Sequence, residues 1–309
     1  MPSYNHRPFV QAAVDSVLHQ TYPHVELVIV DNSSTDGTWE IVSSIRDSRV
    51  RSFAVRNDAL IAASRNYGLE RANGEFVAFI DSDDAWHEEK LAVQLPHLAD
   101  SAISCVSTNF VPTGDVDYCF HHLSFGAMGY RDYGYREIAL ANPVMTSSVL
   151  ARKKDLLDAG GFDEHLDFRF IEDWELWLRM SRQGNIRVLA RPLLRYRIAR
   201  KTGRGDFKLK CLRIFEKHRR LGYLDDALHV RVKGNCLVDA GRACLESDDR
   251  RGVAFLWGGF IHCEGLSNRM RAMVALALFI LPLAARKCWI ERLYRTRGRL
   301  RRVLRGNED

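Results

Sequence analysis

The fold is decided by the stretch Phe76-Val77-Ala78-Phe79-Ile80-Asp81-Ser82-Asp83-Asp84, in which five apolar residues run directly into an acidic cluster. A short apolar run that ends in polar residues predicts a buried strand. Around it, further strands are predicted at 25–30, 50–55, 103–110, 146–152 and 186–196, and helices at 9–20, 38–45, 59–72, 154–159 and 172–183. Strands that alternate with helices predict an α/β fold with a mostly parallel sheet flanked by helices.

Polar loops follow two of the predicted strands. Asp31 opens the loop Asp31-Asn32-Ser33-Ser34-Thr35-Asp36-Gly37, and Asp81 opens the acidic cluster. Ligands of such sheets bind at the carboxyl ends of the strands, so we expect the two loops to border one binding crevice. Asn, Ser and Asp are also ordinary turn residues, and a plain turn remains the alternative for the first loop.

The cluster Asp81-Ser82-Asp83-Asp84 offers carboxylates that a strand end aims at one point. Mg²⁺ and Mn²⁺ prefer such oxygen ligands and commonly add phosphate oxygens to them. A metal there would neutralise a leaving diphosphate. The alternative is an acidic turn or a helix N-cap, because Asp84 precedes a helix-like segment at 86–95.

A second acidic pair, Glu172 and Asp173, opens the predicted helix 172–183. One hypothesis is a general base that takes a proton from an acceptor hydroxyl. The alternative is a plain cap, because the helix dipole favours carboxylates at an N-terminus. Trp174 and Trp177 are interpreted as core residues or as residues that stack on a sugar.

Composition and charge limit the class of protein. The chain is 46% hydrophobic and 27% charged, as in soluble globular proteins, and its seven cysteines have no metal or redox spacing, which predicts free thiols. The first apolar run is too short for a signal peptide, so a cytoplasmic location is expected. The net charge of +6 is carried entirely by the Arg-rich end of the chain, but few aromatics are interleaved there, so nucleic-acid binding is not expected.

The chain is predicted to have a nucleotide-sugar-binding and catalytic domain at 1–205 and a helical region at 206–309. The helical region holds an apolar stretch at 272–285 and a basic tail at 286–305. Fourteen apolar residues are too few to span a hydrocarbon core of about 30 Å. An apolar helix beside clustered arginines predicts association with an anionic membrane surface, and a buried core helix is the alternative.

The chain resembles the family 2 glycosyltransferases, which have the GT-A fold. The resemblance covers residues 2–205 and depends on six stretches in the family's order. They are Pro2-Ser3-Tyr4-Asn5 with Ser16-Val17-Leu18-His19-Gln20-Thr21-Tyr22, Val28-Ile29-Val30-Asp31-Asn32-Ser33-Ser34-Thr35-Asp36-Gly37-Thr38, Ser64-Arg65-Asn66-Tyr67-Gly68, Phe79-Ile80-Asp81-Ser82-Asp83-Asp84-Ala85-Trp86, Gly160-Gly161-Phe162-Asp163-Glu164, and Glu172-Asp173-Trp174-Glu175-Leu176-Trp177-Leu178-Arg179.

The resemblance implies an inverting, Mg²⁺- or Mn²⁺-dependent transfer of sugar from a nucleoside diphosphate sugar, with a UDP-sugar favoured, to an acceptor hydroxyl. It implies that Asp83 and Asp81 bind the metal, that Asp173 is the base and that Glu172 is its alternative. No covalent nucleophile is needed for inversion. The candidate nucleotide-sugar site comprises Pro2, Tyr4, Asn5, Asp31, Ser33, Arg65, Asn66, Asp81, Ser82 and Trp174.

The chain departs from the family's pattern at several points. No apolar strand precedes Pro2, so the family's first strand is expected to be missing. Ala59 stands where a glycine is usual, one residue is inserted before Arg65-Asn66, and Ala199 stands where many members have a histidine. The Gln-x-x-Arg-Trp element of processive synthases is not found, which predicts a non-processive enzyme.

The leading hypothesis is a glycosyltransferase that acts at the cytoplasmic face of a membrane on a surface polysaccharide or glycolipid. The alternative is a catalytically impaired family member that binds nucleotide sugars or membranes, because the first strand is expected to be missing. A nucleotidyltransferase is a remoter alternative, since it leaves Glu172-Asp173-Trp174 unexplained.

Overall fold

Two sheets form the first part of the computed structural model, which describes residues 1–58, 60–114, 128–198, 204–247, 249–262 and 266–278. The first sheet has three parallel strands in the order β1-β2-β3. Its elements are β1 (Pro2–Ser3), α1 (Val10–Leu18), β2 (Leu27–Asp31), α2 (Thr38–Ser44), β3 (Val50–Ala54) and α3 (Ile61–Arg71). The predicted α/β fold with helices beside a parallel sheet is confirmed.

The second sheet is mixed, with the order β4-β8-β6-β9-β5 and with β7 paired to β9. Only β6 and β9 are parallel within it. Its elements are β4 (Phe76–Ala78), β5 (Ala85–Trp86), α4 (Lys90–Gln94), β6 (Ile103–Gly114), β7 (Tyr130–Tyr133), α5 (Tyr135–Leu140), β8 (Leu150–Arg152), α6 (Lys153–Asp158), α7 (Glu172–Met180) and β9 (Asn185–Ile198), with 3₁₀ turns at Leu95–Ala99, Thr146–Ser148 and Leu166–Phe168.

One alternative and one local prediction do not hold. Asp84 does not cap a helix: the strand β5 follows it, α4 begins only at Lys90, and the Asp84 carboxylate accepts a hydrogen bond from the Arg197 backbone (2.7 Å). The predicted strand at 146–152 begins as a 3₁₀ turn at Thr146–Ser148. The Ser148 hydroxyl donates to the Met145 carbonyl (2.7 Å), a local bond of the kind that competes with a strand ladder.

The hydrophobic core of the first part of the chain lies between its helices and its two sheets. In α1 the buried residues Val10, Ala13, Val14 and Val17 follow the helical repeat and pack with apolar residues of both sheets. This packing fixes the helix against the sheets.

The strand expected to be missing is represented by the two-residue β1, which pairs with Val30 and Asp31 of β2. A cavity of about 350 Å³ lies between β2 and β4, and its lining includes Leu27, Val28 and Phe76. The Met1 ammonium donates to the Val28 carbonyl (2.8 Å) beside this cavity. Burial lowers the pKa of that ammonium from 8.0 to about 5, and the nearby Asp81 offsets part of the effect.

An apolar extension in front of Met1, such as Val-Ser-Val-Ile, should raise the free energy of unfolding. It would continue β1 along Val28 and Leu27 and would replace the buried ammonium with an amide. Because the folded pKa lies below the unfolded one, the ammonium reduces stability below pH 8, and this loss disappears as the pH rises. Removal of the buried ammonium should raise the free energy of unfolding by about 3 kcal/mol at pH 6 and leave it almost unchanged at pH 9.

Urea unfolding at the two pH values measures this gain. A polar extension of equal length, Asp-Ser-Asn-Asp, is the control, because it also removes the ammonium but cannot fill an apolar cavity. Equal stability of the unextended and the apolar-extended proteins at pH 6 would contradict the prediction.

The second part of the chain is helical, as predicted. Its helices are α8 (Arg204–Arg220), α9 (Asp226–Ser247), α10 (Arg251–His262) and α11 (Leu266–Leu278). The chain divides into two compact units, Met1–Arg200 and Lys201–Asp309. This division lies close to the predicted one at 205, and the roles assigned to the two domains stay predictions.

The apolar stretch predicted at 272–285 is described only to residue 278. In α11, Ala272, Ala275 and Leu278 are buried against Val238 and Leu256, so this part has one face in the core of its unit. Residues 279–285, the basic tail at 286–305 and Ala199 lie outside the described residues. Within the described part of the chain, no helix combines the length and the hydropathy needed to cross a bilayer.

Candidate functional site

A buried arginine joins the two acidic segments that the sequence singled out. Arg65, on α3, donates to Asp81 Oδ1 through Nη2 (2.8 Å) and to Glu172 Oε1 through Nη1 (2.8 Å). The side chains of Arg65 and Glu172 are 4% and 5% exposed. The guanidinium also lies 5.2 Å from the centre of the Phe162 ring. One side chain therefore fixes the end of the acidic loop relative to the start of α7.

At this junction, burial and ion pairing shift the pKa values of the side chains in opposite directions. Burial alone would lower the pKa of Arg65, but Asp81 and Glu172 outweigh it and raise that pKa. Burial also raises the pKa of Glu172, and Arg65 counteracts the rise. Glu172 Oε2 has no hydrogen-bond partner among the described residues. Removal of one partner of a buried ion pair leaves an uncompensated charge, which costs about 3–5 kcal/mol.

The acidic loop is held from both sides. The Asp81 backbone donates to Ser147 Oγ (3.0 Å), and Ser82 Oγ lies 2.8 Å from His6 Nδ1. Asp84 is buried, and burial together with the charge of Asp81 raises its pKa to about 8. The hydrogen bond that Asp84 accepts from the Arg197 backbone fixes the loop to β9.

Asp83 is the loop carboxylate with no side-chain partner among the described residues. Burial raises its pKa, Asp81 adds to the rise, and the charges of His6 and Arg197 counteract it. Asp81 Oδ1 already accepts a hydrogen bond from Arg65. An unpaired carboxylate beside a second one is a donor set that suits a hard divalent cation.

The described residues contain no group of three or more His, Cys, Asp or Glu side chains that could hold a metal ion. Asp83 and Asp81 thus fit a divalent cation only if phosphate oxygens and water complete its coordination. This is the usual arrangement for Mg²⁺ in nucleotide sites.

The second acidic pair has two different environments. Glu172 is ion-paired to Arg65, whereas Asp173 Oδ2 accepts from Thr146 Oγ1 (2.9 Å) and Oδ1 accepts from the Trp174 backbone (2.7 Å). Burial raises the pKa of Asp173, and Arg65 counteracts the rise. A carboxylate with neutral partners and a raised pKa is better suited to accept a proton than one that is held by an arginine.

The first polar loop is organised around Asp31, which is 1% exposed. Its carboxylate accepts from the Ser34 backbone (2.9 Å) and from Ser34 Oγ (2.6 Å). Asn5 Oδ1 accepts from the Thr35 backbone (2.8 Å), and Ser33 Oγ donates to the Val55 carbonyl (2.9 Å). The loop from β1 and the loop from β2 are thereby held together at one sheet end.

Asn66 is engaged with the chain itself. Its amide accepts from the Phe162 backbone (2.8 Å) and donates to the Phe162 carbonyl (2.8 Å) and to Glu164 (2.7 Å). Gly161 adopts φ +65°, and a Cβ there would lie 2.7 Å from Asn66 Oδ1, which explains the glycine. The nucleotide contact proposed for Asn66 stays a prediction.

The remaining candidate residues differ in exposure. Tyr4 is 48% exposed at the crevice, whereas Pro2 is buried within β1. Trp174 is buried, and its Nε1 donates to the Ile138 carbonyl (2.8 Å), which fits the core interpretation. Trp177 is fully buried against Phe79 and Phe162. The nucleotide-sugar contact predicted for Trp174 stays a prediction.

Backbone strain is concentrated in the same loops. Asn5 (φ 53°), Ser33 (φ 58°) and Phe170 (φ 75°) lie in the left-handed region that non-glycine residues rarely occupy. Such conformations cost about 1–3 kcal/mol each and persist only where the surroundings hold them. They turn the chain sharply at the ends of β1 and β2 and at the entry to α7.

The comparisons with known proteins agree with this geometry. Residues 1–161, more than half of the chain, match the family described as "Glycosyl transferase family 2". The chain belongs to this family.

Curated relatives cover different shares of the chain. An Escherichia coli protein named "UDP-Glc:alpha-D-GlcNAc-diphosphoundecaprenol beta-1,3-glucosyltransferase WfaP" is 32% identical over 59% of this chain and 68% of its own length. The Bacillus subtilis "Putative teichuronic acid biosynthesis glycosyltransferase TuaG" is 40% identical over 35% of this chain, and the match spans only 44% of TuaG.

Solved structures of low identity show the fold. TarS residues 1–349 of S. aureus, in complex with UDP, has a TM-score of 0.62 at 18% identity, covering 90% of this chain and 88% of TarS. The mannosyltransferase PcManGT of Pyrobaculum calidifontis, in complex with GDP-Man and Mn²⁺, has a TM-score of 0.58 at 20% identity, covering 93% and 81%. This glycosyltransferase therefore has the GT-A fold.

Sequence reasoning missed several residues of this family 2 glycosyltransferase that line the acidic loop. Thr146 and Ser147 come from a segment predicted as a plain strand, and His6 and Arg197 flank Asp83. Burial raises the pKa of Tyr196, and the charges of the site's carboxylates, Asp81 first among them, raise it further. The sequence signal for His6 was that it adjoins the quoted stretch Pro2-Ser3-Tyr4-Asn5, and Arg197 directly follows the strand predicted at 186–196.

Replacement of Arg65 in this glycosyltransferase should lower its stability, because the buried charge of Glu172 then has no partner. We expect Arg65→Met to lower the free energy of unfolding by about 3–5 kcal/mol at pH 7. Addition of Glu172→Gln should recover part of the loss, because an amide carries no charge. Urea unfolding followed by tryptophan fluorescence measures both changes.

Arg51→Met is the matched control, because Arg51 pairs with Glu26 in a 38% exposed position. Its loss should be below about 1 kcal/mol. Equal losses for the two arginine variants, or no recovery in the double variant, would show that the buried junction does not set stability.

Proposed function

We propose that this family 2 glycosyltransferase transfers a sugar, with inversion, from a nucleoside diphosphate sugar to an acceptor hydroxyl of a surface polysaccharide or glycolipid. A UDP-sugar is the favoured donor, and the enzyme is non-processive. The observation that carries the proposal is the Arg65 junction, which connects the carboxylate at the end of the acidic loop to the carboxylates at the start of α7.

The relatives support the class of donor and acceptor. WfaP is named for a UDP-Glc donor and a diphosphoundecaprenol-linked acceptor, and TuaG for teichuronic acid biosynthesis. TarS was solved with UDP, and PcManGT with GDP-Man and Mn²⁺. A nucleoside diphosphate sugar and a lipid-linked or surface glycan are the chemistry common to these names.

Asp173 is proposed as the base that removes the acceptor proton. Thr146 and the Trp174 backbone orient its carboxylate, and its raised pKa makes it a better proton acceptor than an ordinary aspartate. Glu172, ion-paired to Arg65, is proposed to position α7. A single in-line attack by the acceptor oxygen then inverts the sugar carbon, and no covalent sugar–protein bond is needed.

The donor is proposed to lie at the strand ends, with its nucleoside between the Asn5 and Asp31 loops and its diphosphate beside Asp83. Mg²⁺ or Mn²⁺ bound at Asp83 and Asp81 would supply charge neutralisation for the leaving diphosphate. Burial raises the pKa of Asp84 to about 8, which favours less negative charge on this carboxyl near the diphosphate.

Donor turnover by a panel of UDP-, GDP- and dTDP-sugars with Mn²⁺ tests the function. The unaltered protein should release the nucleoside diphosphate from one donor class. Asp173→Asn should lower kcat by about 10²–10⁴ without weakening nucleotide binding, because only the base is lost. Asp83→Asn should weaken the Mn²⁺-dependent part of nucleotide binding.

Asp158→Asn is the control, since Asp158 is an exposed partner of Lys154 and should leave turnover unchanged. Nucleotide binding without turnover of any donor, even with lipid-linked glycan acceptors present, would favour the alternative of a catalytically impaired binding protein. No nucleotide binding at all would exclude the transferase and the nucleotide-sugar-binding form of that alternative.

We further propose that the protein binds the anionic inner face of a membrane through its helical unit. On α10 the apolar residues Val253, Trp257 and Ile261 recur every four residues and are 43%, 57% and 58% exposed. Met270, Met273 and Val274 are exposed on α11. An exposed apolar stripe with a tryptophan suits the interface between lipid headgroups and acyl chains.

Vesicle co-sedimentation tests this membrane proposal. Trp257→Ser with Ile261→Ser should reduce binding to anionic phosphatidylglycerol vesicles at least about tenfold, because each buried apolar side chain contributes about 1.5–3 kcal/mol. Leu221→Ser, at an exposed residue outside both helices, is the control. Equal binding of all three proteins would refute a role for this stripe.

A further inference from the structure

The loop that leads into α7 exposes an aromatic ring next to the second acidic pair. A 3₁₀ turn at Leu166–Phe168 ends with the buried Phe168, whereas Phe170 is 59% exposed. Phe170 lies two residues before Glu172 in the sequence. Burial raises the pKa of Glu172, and the Phe170 backbone N–H is one of the groups that counteract the rise. The ring therefore projects from backbone that adjoins the candidate base.

The backbone of Phe170 is strained. Its φ of 75° lies in the left-handed region, where a bulky side chain is a genuine outlier. The neighbours Phe168 and Ile171 are both buried, and the Ile171 backbone N–H donates to the Phe168 carbonyl (2.8 Å). These two contacts with the core hold the turn in which Phe170 lies.

Neither this turn nor the core requires a phenyl ring at position 170. Glycine and asparagine adopt a positive φ at lower cost, and any residue other than proline supplies a backbone N–H toward Glu172. A ring that is mostly exposed recovers little free energy through burial. Strain that folding does not explain points to a ligand, because such residues are concentrated at functional sites.

Arg169 holds the ring from one side. Its guanidinium carbon lies 5.1 Å from the centre of the Phe170 ring, within the range of a cation–π contact. The Arg169 Nε is buried and has no hydrogen-bond partner among the described residues. The contact restricts the ring to a defined place at the surface, beside the start of α7.

We infer that the Phe170 ring stacks on a pyranose ring of the acceptor and thereby places the acceptor hydroxyl for Asp173. This inference rests on the proposed function, in which Asp173 is the base, and it adds a residue of the acceptor site. An aromatic side chain presents a large apolar face, on which the C–H groups of a sugar ring can pack. Because a ring face does not read individual hydroxyls, Phe170 contributes orientation and affinity, and the choice of sugar belongs to other residues.

Variants that separate the ring from its apolarity test the inference. The acceptors are the octyl glycosides of glucose, galactose, mannose and N-acetylglucosamine, with Mn²⁺ and the donor that the unaltered protein hydrolyses fastest. Phe170→Leu, which is apolar but has no ring, should lower kcat/KM for the accepted glycoside about threefold to tenfold. Phe170→Tyr should keep most of it. Hydrolysis of the donor by water should be unchanged in both variants.

Leu166→Ala is the matched control for the loss of an exposed apolar side chain from the same loop, since Leu166 is 70% exposed. Its kcat/KM for the acceptor should equal that of the unaltered protein. An equal loss in the Leu166 and Phe170 variants would mean that the apolar loop as a whole governs acceptor use, and the inference would be overturned. A loss seen with octyl but not with methyl glycosides would also overturn it, because the ring would then contact the alkyl chain.

Phe170→Gly separates acceptor binding from a structural role. Glycine relieves the strain at a positive φ, so the urea midpoint of unfolding should stay the same or rise. The kcat/KM for the acceptor should fall at least as far as in Phe170→Leu. A lower urea midpoint would show that the ring stabilises the fold, and the inference would fail.

The outcomes distinguish the stacking from the proposed function. If the unaltered protein hydrolyses no donor and binds no nucleoside diphosphate, the proposed function fails. If it hydrolyses a donor but transfers sugar to no glycoside of the panel, or if Phe170→Leu transfers it as fast as the unaltered protein, the use of the donor stands and the stacking is wrong.

Discussion

The site depends on one interaction, the buried guanidinium of Arg65 between Asp81 and Glu172. A desolvated arginine is tolerated only where carboxylates accept its N–H groups, and desolvated carboxylates need such a cation in turn. Each partner therefore fixes the others. Since the three residues come from α3, from the loop after β4 and from α7, their mutual requirement fixes three separate segments at one point. Asp83 and Asp173 each adjoin a segment held in this way.

The burial of several carboxylates in one crevice also explains why they differ in their pKa values and in the partners that compensate their charge. Burial raises the pKa of Asp83, Asp84, Glu172 and Asp173, because the ionised forms lose their solvation, and repulsion from a neighbouring carboxylate adds to each rise. Arg65 offsets this for Glu172 and Asp173, and neutral donors from Thr146 and the Trp174 backbone orient Asp173. Asp83 is left with only partial compensation from His6 and Arg197. A cation and a diphosphate that enter together would complete the balance of charge that the chain alone leaves incomplete.

Sequence patterns predicted the elements better than the contacts between them. Apolar runs located β2, β3 and β4 to within a few residues, because buried strands have a composition of their own. They also located Asp31 and Asp81 at strand ends. The pairing of Arg65 with Glu172 joins residues 107 positions apart, and no local pattern encodes it. No local pattern encodes the partner of Asp84 either, which is the backbone of Arg197, 113 positions away. His6 was overlooked because a histidine in a loop carries no periodic signal.

The short strand β1 and the crevice are held by different forces. β1 pairs with β2 only through Pro2 and Ser3, and a cavity lies beside β2. The loop that follows does not depend on that ladder, because its anchors are side-chain hydrogen bonds: Asn5 to Ser34 and Thr35, His6 to Thr38 and Ser82, and Arg7 to Asp36. These contacts place the loop against the acidic cluster whatever the length of β1. Sheet stability and site geometry are therefore separable properties of this chain, and a longer β1 would change the first much more than the second.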